Sequence, residues 1–174
     1  SSEEITLNAA ELMHQHHIAS ETGVHSSKIF DSDLWIISPG VSADSKIVNE
    51  ASNLNIPIVS EIEFASWFTN SPIIGITGSN GKTTTTYILN QMFQNEETIG
   101  IIGGNVGIPF SECVLKEILR PDKKIVYLLE LSSFQLEFIS TFCPLMAIYT
   151  NVSEDHLDRH HSMEKYIEMK KRLS

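Results

Sequence analysis

The residues best able to do chemistry begin in IIGITGSNGKTTTTYI, Ile73 to Ile88. Gly78-Ser79-Asn80-Gly81 is followed at once by Lys82, Thr83 and Thr84. A phosphate group needs converging backbone N–H groups, a helix N-terminus behind them and a lysine for its outer oxygens. This stretch supplies all three in order, and a threonine hydroxyl beside the lysine is a ligand for Mg²⁺. The common phosphate loop has a glycine five places before Gly81, where Ile76 stands, so the pattern predicts a variant loop. Gly78 and Gly81 provide the positive φ or close approach that such a loop requires. A glycine turn ahead of an amphipathic helix is the plainer alternative.

Three further groups could share that chemistry. Glu130 closes the apolar run KKIVYLLE, where a carboxylate is costly unless it is paired or holds a metal. A solvated glutamate at a strand end is the alternative. His156 lies in TNVSEDHLDRH, where Ser153 has the character of an N-cap, with Glu154 and Asp155 in a first helical turn. A histidine so placed stays neutral and can ligate metal or accept a hydrogen bond. His14, His16, His17, His25, His160 and His161 read as surface residues. In the last helix Met163, Tyr166, Ile167 and Lys170 follow one apolar stripe, which turns Lys170 inward. Such a lysine must find an anion, lose its proton, be modified, or snorkel to solvent.

These groups need elements to hold them. Short apolar runs alternate with helical stretches, the pattern of a parallel sheet covered on both faces. Strands are expected at Leu34–Ile37, Ile56–Val59, Ile73–Thr77, Thr98–Ile102, Ile125–Leu129 and Leu145–Thr150. Helices are expected at Ile5–His17, Ala43–Leu54, Glu61–Phe68, Thr83–Gln94, Pro109–Leu119, Phe134–Ile139 and Met163–Leu173. Ligands of open parallel sheets bind beyond the carboxyl ends of the strands. Lys82, Asn105, Glu130 and the Asn151–His156 segment each follow such an end. The turn Thr69-Asn70-Ser71-Pro72 marks a boundary between residues 1–71 and 72–174.

Composition narrows the choice of partner. The chain has 174 residues, 41% hydrophobic and 20% charged, with a net charge of -10, so a folded protein is expected and a polyanion such as nucleic acid is not. Cys113 and Cys143 form neither a disulfide framework nor a metal-binding spacing, which fits a reducing, cytoplasmic setting. No apolar run is long enough to span a membrane, and no signal pattern opens the chain. A start at Ser1 without methionine and an end straight after a helical pattern suggest a piece of a larger protein.

In order, GITGSNGKTT, GGNVGIPF, LELSSFQLE, TNVSEDHLDRH and YIEMKK resemble the cytoplasmic Mur ligases, and LSSFQLE with GGNVGIPF resembles the D-glutamate-adding branch. DLWIISPGV is similar to that family's first domain, which holds the UDP part of the substrate. The resemblance implies an α/β fold: a phosphate-loop parallel sheet flanked by helices, preceded by an incomplete Rossmann-like domain. It implies an ATP-dependent amide ligase of peptidoglycan synthesis joining D-glutamate to UDP-N-acetylmuramoyl-L-alanine through an acyl phosphate.

By the same resemblance, residues 78–84 bind ATP, with Lys82 on its outer phosphates. Thr83 and Glu130 hold one Mg²⁺, and His156 serves a second metal. Lys170 is the lysine carbamylated by CO₂ into an anionic ligand. Gly40, Asn105, Ser132 and Gln135 match substrate contacts. The family's opening strand and third domain have no counterpart here, so a monomer of these bounds is expected to make no product by itself. Another Mur ligase, folylpolyglutamate synthase, or a phosphate-loop NTPase that ligates nothing are the competing readings.

Overall fold

The computed structural model describes residues 11–21, 25–119, 124–155 and 157–174. The chain forms two compact units, residues 1–33 and 34–174. In the first, positions 5–10 of the helix expected over Ile5–His17 lie outside the described residues, and 11–15 are helical. A 3-10 turn follows at Ser27–Phe30, capped by the Ser26 hydroxyl.

The second unit contains two parallel sheets. Strand β1 (Trp35–Ile37) pairs with β2 (Ile58–Ser60), and α1 (Lys46–Asn53) connects them. Helix α2 (Glu61–Ser66) starts directly after β2, its N-cap Ser60 accepting from Glu63 N at 3.2 Å. The larger sheet comprises β3 (Ile73–Thr77), β4 (Thr98–Gly104), β5 (Lys124–Glu130) and β6 (Met146–Tyr149), in the order β4-β5-β3-β6. Every pair in it is parallel. Crossovers run through α3 (Lys82–Met92) and α4 (Phe110–Leu119), and α5 (Leu157–His160) and α6 (Met163–Lys171) end the chain.

All five residues of β3 are buried, as a strand covered on both faces demands. Ile74 and Ile76 pack with Leu128 under Leu89 and Phe93 at the end of α3. Ile73 belongs to the larger cluster, with Tyr127 and Leu129 of β5, Phe110 and Val114 of α4, and Ile62 of α2. Gly75 admits the end of α6: a Cβ there would come within 2.9 Å of Leu173 Cδ1. Leu173 is 1% exposed and joins that same cluster.

Two carboxylates, Glu63 buried and Glu117 partly buried, fasten the connections. Glu63 accepts from the backbone N–H groups of Ser140, Thr141 and Phe142 at 2.8–2.9 Å and from Trp67 Nε1 at 3.0 Å. Glu117 accepts from Thr69 Oγ1 at 2.6 Å, from Tyr127 Oη at 2.7 Å and from Ser71 Oγ, which pins the expected boundary turn onto α4. The helix expected at Phe134–Ile139 is only a 3-10 turn at Phe134–Leu136.

Candidate nucleotide and metal site

The loop after β3 is shaped by its glycines. Gly78 has φ +145°, and a Cβ there would lie 2.0 Å from Thr150 Oγ1, so no larger residue fits without displacement. Gly81 is left-handed at φ 82° and caps α3. The first N–H groups of a helix have no partner inside it, so those of α3 stand ready for an anion. Thr83 and Thr84 are exposed on this first turn.

Lys82 arches back over the loop, its Nζ 2.9 Å from both Gly78 O and Ser79 O. The rest of the loop is stitched to the segment after β6. Ser79 N and Asn80 N donate to Asn151 O and Asn151 Oδ1, at 3.0 and 2.9 Å. Thr150 Oγ1 and Asn151 Nδ2 donate to Asn80 O at 2.7 and 2.8 Å. The Ser79 hydroxyl donates to Ser153 O at 2.9 Å, accepts from Ser153 N at 3.0 Å and lies 3.1 Å from Tyr166 Oη. Two N–H groups of the expected phosphate cradle are therefore spent on loop structure, and the helix end carries the anion-binding capacity.

Glu130 ends β5 between two strands, in register with Ile76 and with Gly104, and is 2% exposed. One carboxylate oxygen accepts from Thr83 Oγ1 at 2.7 Å and the other from Asn105 Nδ2 at 2.8 Å. Gly104, at φ +95°, lets this happen: a Cβ would approach Glu130 O to 2.4 Å. The solvated-glutamate alternative is thereby removed. Hard oxygen donors from Thr83 and Glu130 side by side fit Mg²⁺, and the Lys82 ammonium beside a helix N-terminus fits a phosphate.

Lys170 does not snorkel. It is 2% exposed, with Nζ 3.0 Å from Gly78 O, 3.3 Å from Thr77 Oγ1 and 4.5 Å from the centroid of the Tyr166 ring. Burial, and then the nearby positive Lys82, push its ammonium down to about 8, against a smaller opposing pull from Asp155. Ser132 and Gln135 bind each other: Gln135 Oε1 accepts from Ser132 N at 3.0 Å and Ser132 Oγ at 3.2 Å. Gly40 is exposed in the turn after β1, in which Val41 N donates to Ser38 O at 3.0 Å.

A family model for the Mur ligase middle domain matches residues 76–174, and one for the MurD N-terminal domain matches residues 1–47. The chain belongs to the MurD family of Mur ligases. It is 40% identical over 168 residues to the UDP-N-acetylmuramoylalanine--D-glutamate ligase of Salinibacter ruber, covering 93% of this chain and 36% of that protein. Against the ligase of the same name from Citrifermentans bemidjiense it is 43% identical over 157 residues, covering 90% and 34%. For that of Clostridioides difficile the figures are 42% over 149 residues, 85% and 32%. The chain thus spans about one third of the length of these relatives.

Within this MurD-family chain, Lys82, Thr83, Glu130, Asn105 and Lys170 meet at the carboxyl ends of β3, β4 and β5. His156 lies outside the described residues. Ser153 is not an N-cap, because its backbone is held by Ser79 and the helix begins only at Leu157. His160 is a core residue at 5% exposure, its Nε2 2.8 Å from Ser133 Oγ. Sequence reasoning missed Thr150, Asn151 and Tyr166 as loop supports. Tyr166 had a signal, sharing the inner stripe with Lys170. Asn151 followed a strand end, but nothing local marked its side chain as a partner of Asn80. Among the described residues no group of three or more His, Cys, Asp and Glu could hold a metal ion, and no helix is long and apolar enough to cross a membrane.

Proposed function

We propose that these residues form part of an ATP-dependent ligase that joins D-glutamate to UDP-N-acetylmuramoyl-L-alanine in peptidoglycan synthesis, in the cytoplasm. The observation carrying this reading is the meeting of a phosphate loop, a Thr83–Glu130 pair and the buried Lys170 at one sheet edge. The relatives' shared name supplies the amino acid. Residues 1–71 would be part of the UDP-substrate domain and 72–174 part of the central ATP domain.

The substrate's alanyl carboxylate attacks the γ-phosphorus, the bond to the β–γ bridging oxygen breaks, and ADP leaves. The amine of D-glutamate then attacks the acyl carbon, the C–O bond to phosphate breaks, and the nitrogen gives up a proton. ATP with Mg²⁺ supplies the activated phosphoryl group. Lys82 and the α3 N-terminus bind and orient the negative oxygens, where fixed positive groups are most effective. Thr83 and Glu130 would hold one metal ion. Lys170, carbamylated, and His156 would serve a second. Asn105, Ser132, Gln135 and Gly40 would contact the UDP-linked substrate.

A phosphate-release assay on the protein carrying this chain tests the reading. Release should require both UDP-N-acetylmuramoyl-L-alanine and D-glutamate, with L-lysine and L-glutamate inert. ATP turnover indifferent to both substrates would point to a phosphate-loop NTPase instead, and a preference for L-lysine or L-glutamate to another branch of the superfamily.

A further inference from the structure

Arg159 makes a set of contacts that the ligase chemistry does not use. Its Nη1 donates to Pro39 O at 3.0 Å and its Nη2 to Val41 O at 2.9 Å, across 120 and 118 positions of sequence. Those two carbonyls flank Gly40. The same Nη2 reaches Glu137 Oε2 at 2.8 Å, and the guanidinium carbon lies 4.5 Å from the centre of the Phe134 ring. Arg159 Nε is buried without a hydrogen-bond partner, a cost borne to keep the fork aimed at the turn.

The base of the fork is fixed as well. Next in sequence, His160 bonds Ser133 Oγ at 2.8 Å and stacks on Phe134 with ring centres 5.4 Å apart. Arg159 and His160 therefore both grip the 3-10 turn that contains Gln135 and follows Ser132. Gly40 itself is exposed, and a Cβ there would meet nothing within 4 Å, so the turn receives no packing support at its apex.

We infer that Arg159 is a positioning residue that latches the Pro39–Val41 turn to the Ser132–Gln135 segment, setting the spacing between two parts of one substrate site. Only a planar fork with several donors can hold two carbonyls and a carboxylate at once, so lysine is no equivalent. The consequence for ligand rests on the reading of Gly40 as a contact for the uridine nucleotide part of the substrate.

The test compares wild type, Arg159→Met, Arg159→Lys and Glu137→Gln by hydrogen–deuterium exchange of the turn and by calorimetric titration with UDP and, separately, ATP. Arg159→Met should speed exchange of residues 38–42 about tenfold and weaken UDP by about tenfold, the usual scale for losing charge-assisted hydrogen bonds, with ATP affinity unchanged. Arg159→Lys should recover neither in full. Should Arg159→Met not fold, Glu137→Gln carries the same test, since freeing the guanidinium should loosen the turn. Wild-type exchange of the turn in these variants overturns the latch, and so does full function of Arg159→Lys. Failure of UDP to bind wild type that does bind ATP overturns the uridine reading of Gly40, while the exchange data still decide the latch.

Discussion

Lys82 and Lys170 donate to the same oxygen: Gly78 O lies 2.9 Å from the first Nζ and 3.0 Å from the second. Two like charges on one carbonyl are tolerable because further acceptors share them: Ser79 O for Lys82 and Thr77 Oγ1 for Lys170. The pair makes the sheet edge electropositive in a chain whose net charge is -10.

That relationship fixes how Lys170 responds to pH. Its ammonium is lowered from 10.5 to about 8, so the folded state releases a proton that the unfolded chain keeps. Stability contributed by this group therefore rises with pH between about 8 and 10.5 and is lowest below 8. The neutral amine present near pH 8 is the form that reacts with CO₂. Labelled bicarbonate at pH 8.5 should give a carbamate carbon-13 signal that is lost in Lys170→Arg. Equal signals in the two proteins would assign the carbamate elsewhere.

Thr83→Ala should weaken Mg²⁺-dependent ATP binding about tenfold while leaving binding in the presence of a chelator unchanged, because only a metal ligand is removed. Calorimetry with and without Mg²⁺ separates the two. Equal loss in both conditions would show that the hydroxyl acts on the nucleotide or on Glu130 instead.

Glu63 governs stability in acid. Burial alone would push its carboxyl up, but the Ser140 N–H, the Thr141 hydroxyl and the Thr141 and Phe142 N–H groups outweigh it and hold the group at about 2, below the ordinary 4.5. A depressed carboxyl stabilises the fold above 4.5, and that contribution, of order 3 kcal/mol, is lost as pH falls toward 2. In urea titrations Glu63→Gln should be less stable at pH 7 and should have a shallower decline between pH 4.5 and 2. A parallel decline would move the acid sensitivity to other carboxylates.

Gly78→Ala and Gly40→Ala form a contrasting pair. The first puts a Cβ 2.0 Å from Thr150 Oγ1 at φ +145° and should cost roughly 2–4 kcal/mol. The second meets nothing within 4 Å and should leave the urea midpoint unchanged. Similar midpoints for both would mean that the loop after β3 yields easily.

What the sequence disclosed was local. Strand, glycine loop and helix follow one another from Ile73 to Met92, so turn chemistry and periodicity sufficed. Glu130 and Lys170 were legible because each breaks an apolar pattern. The stitching of Ser79 and Asn80 to Thr150, Asn151 and Ser153 joins positions 70 or more apart, between residue types common in any loop. His160 read as surface because a four-residue helix is too short to display a buried stripe. The Arg159 contacts link segments that only the folded chain brings together.

The close approach of Leu173 to Gly75 has a consequence for how the site tolerates change. Hydrocarbon packing on the central strand fixes the end of α6, and Lys170 is delivered to the loop from that anchored helix rather than recruited by its polar partners. Preorganisation of this kind costs nothing at the moment of binding. It also means that a modest enlargement at position 75, where a Cβ already meets Leu173, should misplace the ammonium more than the loss of a single hydrogen bond to it.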